Sequence, residues 1–277
     1  MDQARPPVRT GLGIVLVIAA AKLLLHLATA SRYGYFGDEL YFMACGEHLD
    51  WGYVDQPPLV ALVAWVVRHT LGTSLLAMRL PSALAGAALV VLAGLLAREL
   101  GGGRFAMALA ALSTALAGVY VVMHYLFTMN AFEPLFWTGC AYVVARIVRT
   151  GDQRLWLLFG LVAGLGLENK YSMAVFAFGL IAGVLLSPQR RAFAKPWLWL
   201  GGGVALLVFL PNLVWNVQHQ WPFFELMRNI RASGRDVLLG PVDYVLRQVV
   251  NMSPTTLPVW LAGLGWLLFS RRGRTWR

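Results

Sequence analysis

Cysteine, charge and acid are all scarce in this chain. Only Cys45 and Cys140 occur among its 277 residues, which excludes a disulfide-held scaffold. Charged residues make up 13%, against about 25% in an ordinary globular domain. Disorder needs abundant charge and low hydrophobicity, so it is excluded as well. There is no glycine loop followed by Lys-Ser or Lys-Thr and no His-Glu-x-x-His, which argues against ATP hydrolysis and zinc proteolysis. The net charge of +10 and pI near 10.1 would mark a nucleic-acid binder only if the basic residues gathered on one solvated face. They are instead dispersed between long apolar runs, and no nucleic-acid partner is expected.

What is abundant is hydrocarbon: 58% hydrophobic residues and a mean hydropathy of +0.63, the composition of an integral membrane protein. A helix crossing a bilayer core about 30 Å thick needs roughly 20 mostly apolar residues. Eight runs qualify as candidates: Gly11 to Ala30, Leu80 to Ala97, Phe105 to Met123, Ala131 to Ala145, Leu155 to Leu167, Tyr171 to Leu186, Pro196 to Trp215, and Pro254 to Ser270. The fifth is the shortest, and the fifth and sixth can also be read as one broken unit. The apolar stretch after Arg5 and Arg9 ends in Ala-Thr-Ala like a secretory signal, but it is longer than the usual apolar core of about 7 to 15 residues and is read as an uncleaved first span.

With the N-terminus inside and the spans alternating, every short inner connection is basic (Arg98 and Arg104; Arg146, Arg149 and Arg154; Arg190, Arg191 and Lys195), as are the ends, with Arg271, Arg272, Arg274 and Arg277 after the last run. That is the pattern the positive-inside rule requires. Most acids fall on the outer side, in two long segments, Ser31 to Arg79 and Asn216 to Ser253, rich in aromatics, proline and charge. Since acids contribute little to topology, their placement needs another cause.

The first outer segment opens with Tyr35-Phe36-Gly37-Asp38-Glu39-Leu40-Tyr41, and Leu40, Met43 and Ala44 then recur at helical spacing. Asp38 reads either as a helix N-cap or as a general base facing a membrane-embedded cavity. The two are compatible, because a helix N-terminus favours negative charge. Downstream, Pro58 begins an apolar run too short to span, which reads as a helix lying along the outer interface with Trp51 and Tyr53 as interface anchors. That reading leaves Asp55-Gln56 unexplained. Asn130 and Glu133 stand three apart at the start of the fourth run, either a solvated helix end or a polar pair kept for a pathway, partner or site. Lys170 reads as a snorkelling lysine or as a cation held near the acids. His219 lies between Trp215 and Trp221 in a segment suited to packing under a substrate; one histidine without a second at helical spacing makes a poor metal site. Lys22 and His26, four apart in the first run, read as a buried or snorkelling pair. Gly101-Gly102-Gly103 reads as a turn and Gly201-Gly202-Gly203 as close helix packing.

Five segments in this order resemble glycosyltransferase family 39, the bacterial relatives of protein O-mannosyltransferases and of the lipid A aminoarabinose transferase. They are Gly37-Asp38-Glu39-Leu40-Tyr41, Asp55-Gln56-Pro57-Pro58-Leu59, Asn130 to Leu135, Gly166-Leu167-Glu168-Asn169-Lys170-Tyr171, and Pro211-Asn212-Leu213-Val214-Trp215-Asn216. The resemblance covers roughly Gly11 to Ile230. It implies an all-α, polytopic fold of the GT-C type, with about eight transmembrane helices and juxtamembrane helices in the first outer segment. It further implies one catalytic domain over residues 1–277, where relatives usually continue through further spans. The implied donor is a polyprenyl-phosphate sugar and the acceptor a lipid, glycan or protein, with transfer on the extracytoplasmic face of the bacterial inner membrane.

For the site, the resemblance assigns Asp38 as catalytic base with Glu39 beside it. Asp55-Gln56-Pro57-Pro58 matches a Glu-Lys-Pro-Pro pattern whose lysine contacts donor phosphate, and here Gln56 replaces that cation. Asn130 stands where many relatives carry an acid, with Glu133 to compensate. Lys170 matches a family lysine and is the expected donor-phosphate cation, and His219 joins Asp55, Gln56, Asn130, Glu133 and Lys170 as an expected substrate-binding residue. No metal ligand is assigned, although a divalent ion as cofactor is left open. The competing reading is a membrane transporter or lipid flippase using the same outer-face polar residues.

Overall fold

The computed structural model describes residues 8–235, 237–271 and 273, so that Arg5, Arg272, Arg274 and Arg277 lie outside the described residues. Among these residues there are helices and no strands. In chain order the α-helices are α1 (Val8–Thr29), α2 (Gly37–Glu47), α3 (Leu59–Thr70), α4 (Leu75–Glu99), α5 (Arg104–Leu116), α6 (Gly118–Tyr125), α7 (Met129–Thr150), α8 (Leu155–Asn169), α9 (Ser172–Leu186), α10 (Pro196–Gln218), α11 (Pro222–Ala232), α12 (Pro241–Asn251) and α13 (Leu257–Phe269). Short 3₁₀ turns at Pro188–Ala194 and Pro254–Thr256 complete the set.

The fold is packed for hydrocarbon solvent. Helix α1 buries Lys22 and His26 while leaving Val17, Leu24 and Leu25 exposed, the reverse of what water would select and what a lipid-facing helix requires. The same inversion explains the exposed Val175 and Phe178 on α9 and the exposed Leu206 and Leu207 on α10. Lys22 finds partners inside the protein, donating to the Tyr120 carbonyl at 3.3 Å, where α5 and α6 meet at a bend.

The helices fit a polytopic membrane protein, while the length and apolarity of single helices account for fewer than the eight expected spans. Among the described residues three helices are long and apolar enough to cross a membrane, α1 from Gly11, α4 and α10, and up to six spans result if each bent pair counts as one. The reason is local geometry. The run from Phe105 to Met123 bends by 61° between α5 and α6, and the α9 run turns by 105° into its 3₁₀ segment. The run at the end turns by 92° from α12 into α13. Helix α8 has 15 residues, short of a full crossing, and the long α7 carries Glu133, Arg146 and Arg149.

Close approaches hold the bundle. A side chain at Gly160 on α8 would meet the Gly201 carbonyl oxygen of α10 at 2.0 Å, so these helices touch backbone to backbone; Gly202 and Gly203 face open space. Gly94 of α4 packs on Val15 of α1 in the same manner. Gly46 of α2 lies on Ala61 and Trp65 of α3, so the two juxtamembrane helices form a tight pair. That pair is joined to α4 and α7 through a core containing Phe42, Val60, Met78, Phe127 and Phe132. The loop and helix ends that carry the site residues are therefore fixed to the bundle from below.

Candidate active site

One end of the bundle gathers the C-terminal ends of α1, α6, α8 and α10, the N-terminal ends of α4, α7 and α9, and the α2–α3 pair. Its anchor is Glu39 of α2, wholly buried, which accepts from Arg79 of α4 through both oxygens: Nε to Oε1 at 2.8 Å and Nη2 to Oε2 at 2.7 Å. The Phe127 N–H donates to Oε1 at 3.0 Å and the Phe36 N–H to Oε2 at 2.8 Å. Arg79 spends its remaining N–H groups on the carbonyls of Ala30, Tyr33 and Gly34, at 2.5, 3.3 and 2.8 Å, and lies over the Tyr125 ring at 4.5 Å. Burial opposes ionisation of Glu39, yet the hydrogen bonds from Arg79 and from two backbone N–H groups outweigh it and hold the carboxyl below its usual range.

That anchor decides what happens to Asp38. Helix α2 begins after Phe36, and Glu39, as its third residue, caps the free Phe36 N–H with its carboxylate. Asp38 is therefore not the N-cap considered from spacing. It is the second residue of the helix, and its side chain is exposed. Consecutive helical residues point about 100° apart, so one adjacent acid is locked inside while the other is presented outward.

One turn beyond Asp38 on α2, the Tyr41 hydroxyl donates to Asp55 Oδ1 at 2.5 Å; burial and the bond to Asp55 both keep this phenol protonated, above its ordinary range. Gln56, next to Asp55, is wholly buried and donates from Nε2 to Cys45 Sγ at 3.6 Å. It is a strut beneath the loop, and Asp55 is the residue facing outward.

The second cluster lies across α7, α8 and α9. Lys170 Nζ donates to Asn130 Oδ1 at 2.7 Å and to Glu133 Oε2 at 3.0 Å, and the Ser172 hydroxyl donates to the other Glu133 oxygen. The Asn130–Glu133 spacing on one helical face is what lets both reach the same ammonium. An ammonium has three donors, so one remains for a ligand. Lys170 and Asp55 share a cavity of about 540 Å³ with Tyr171, Ser172, Phe223 and Met227, roofed by α11. His219 stands apart from that cavity: it is exposed and stacked on Trp215, ring centroids 4.2 Å apart.

The structure adds residues to which sequence reasoning gave no role. Arg79 is one. Two others are Asn212 and Asn216, both buried: Asn212 Nδ2 donates to the Trp51 carbonyl at 2.7 Å, and Asn216 Nδ2 donates to the Tyr171 hydroxyl at 3.1 Å and to Asn212 Oδ1 at 3.0 Å. They tie α10 to the first loop and to the cavity wall. A side chain at Gly52 would overlap Trp215 and Asn212, so the loop sits flat on α10. The signal available in the sequence was two asparagines four apart in an apolar run. Among the described residues no three His, Cys, Asp or Glu side chains gather where they could hold a metal ion.

The family model for dolichyl-phosphate-mannose-protein mannosyltransferase matches residues 55–215, which takes in Asp55, Lys170 and Asn212 and begins after Asp38. A curated relative, the lipid A galacturonosyltransferase RgtD of Rhizobium johnstonii, is 27% identical over 217 residues, covering 76% of this chain and 44% of the relative. The chain thus spans less than half the length of that relative. No solved structure matches it.

Proposed function

The chain belongs to the dolichyl-phosphate-mannose-protein mannosyltransferase family, within the GT-C glycosyltransferases, and from that premise we propose that it moves a sugar from a polyprenyl-phosphate donor to a hydroxyl acceptor at the extracytoplasmic face of the inner membrane. Membership implies a lipid-linked donor and a glycan or lipid acceptor, and the name of the curated relative favours a lipid A-type glycolipid over a protein.

In this mechanism the Asp38 carboxylate takes the acceptor hydroxyl proton as the oxygen attacks the anomeric carbon. The bond from that carbon to the phosphate oxygen breaks, and polyprenyl phosphate leaves with the electron pair. Lys170, with a free N–H, stabilises the charge growing on the leaving phosphate, while Asn130 and Glu133 hold its ammonium in place. Asp55 is positioned by Tyr41 to accept from sugar hydroxyls. Glu39 has no lone pair directed outward, since four donors reach its two oxygens; it acts as a positioning residue for Asp38. Gln56 supports the loop, and His219 extends the aromatic rim through its stack on Trp215.

The observation that carries the reading is the cavity in which Lys170 and Asp55 meet; Asp38 is exposed at the same end, one turn of α2 from the Tyr41–Asp55 contact, and does not itself line that cavity. The test is consumption of labelled polyprenyl-phosphate sugar by the detergent-solubilised full chain, with no gradient present. Turnover that falls at least about 100-fold in Lys170→Met, the scale of one electrostatic donor, supports it. Donor uptake that requires a sealed vesicle would identify a transporter instead.

A further inference from the structure

A second cleft, of about 470 Å³, opens between α3, α8 and α10 on the other side of the Asp50–Pro58 loop. Its walls include Trp51, Leu59, Leu62 and Val208, and its polar groups are Asp50 and Glu168; no basic residue lines it. Glu168, near the end of α8, is only 7% exposed, and neither of its carboxylate oxygens has a hydrogen-bond partner. The Asn212 backbone of α10 lies against the carboxylate. Lys170, two residues on, is committed to Asn130 and Glu133 on the opposite face.

A buried carboxylate without a partner is costly, and a ligand that supplies donors removes the cost. We propose that this cleft is a lipid-headgroup site for the primary ammonium of an ethanolamine phospholipid, with Glu168 accepting its N–H groups. Two acids and no base call for a cation. Two unfilled oxygens call for a cation that carries N–H donors, which a trimethylammonium lacks. The exposed Trp51 ring offers a face to the same charge. The leucine and valine walls, at the end of a short helix where the protein leaves the bilayer, suit acyl chains below a headgroup. The proposal stands on this cleft alone and does not depend on the sugar-transfer reading.

The experiment is a titration of the purified full chain in detergent with ethanolamine, choline and glycerol phospholipids of identical acyl chains, read by native mass spectrometry. The native chain is expected to bind the ethanolamine lipid at least tenfold more tightly than the choline lipid, and Glu168→Gln to bring the two within twofold. Lys170→Met should leave the ratio unchanged. Leu62→Trp, which fills the cleft with the carboxylate intact, should abolish the preference too, and keeps the test open if Glu168→Gln fails to fold. Equal binding of the two lipids by the native chain, a preference for glycerol, or a ratio that survives either cleft variant would overturn the proposal. Displacement of the lipid by soluble phosphoethanolamine at equal concentration would also overturn it, by showing a free amine as the ligand.

Discussion

The two ends of the bundle each carry an arginine–glutamate pair, and they are built differently. At the end that gathers Asp38, Asp55 and Lys170, Arg79 and Glu39 are 3% and 0% exposed and every lone pair and donor of the contact is used. At the other end, Arg149 reaches Glu99 from α7 to α4, with side chains 29% and 5% exposed, among the exposed basic residues of the short connections. The first pair holds a backbone in place, since five of its contacts are to main-chain groups of the α1–α2 connection and the α6–α7 junction. The second joins two helices already packed along their length. A positioned site needs the first kind of contact, and the end facing the basic connections does without it.

The largest effect should come from Arg79→Leu, which strands a buried carboxylate and is expected to cost about 3–5 kcal/mol, read as the thermal unfolding midpoint in detergent. Arg79→Met combined with Glu39→Met should recover much of that loss, because replacing both charges is often nearly neutral; a double variant as unstable as the single one would show that the backbone contacts, not the pair, carry the stability. Next is Gly201→Val: its new side chain meets the Trp156 carbonyl, and forcing α8 and α10 apart should cost about 1–3 kcal/mol and disturb the Asn212–Trp51 contact with them. The smallest is Arg149→Ala, about 1–2 kcal/mol, because the arginine is partly solvated although Glu99 is buried, and a loss there equal to that of Arg79→Leu would remove the distinction between the two ends.

Acid sharpens the same contrast. Glu39 has its folded pKa below the unfolded value of about 4.3, so its contribution is fully present above that value and is lost as pH falls through the lower, folded one. Unfolding midpoints should therefore be unaffected by Glu39 down to about pH 4 and drop below it, and the drop should vanish in the double-methionine variant.

How much of this was readable in advance follows the range of the interactions. Apolar runs are local, so the helices and their membrane setting are visible in composition. The bend at Ala117, between α5 and α6, is not: the carbonyls of Ala115 and Tyr120 on either side of it are served by Lys22 from a distant helix, a contact that no local run of residues announces. Asp38 and Glu39 were legible as a pair of acids but not as opposites: their division depends on Arg79, 40 residues away. Glu168 and Lys170 repeat the lesson at two residues' separation, one closing no bond and the other closing two. The Asn130–Glu133 face was readable because both partners sit on one helix.

The account rests on Asp38 as the group that takes the proton, and the most direct test is sugar transfer by Asp38→Asn in detergent, with the unfolding midpoint measured on the same sample. It predicts transfer reduced by about 10²- to 10⁴-fold at an unchanged midpoint, because the exposed side chain contributes nothing to the Glu39–Arg79 anchor. Transfer at the native rate in that variant would contradict it.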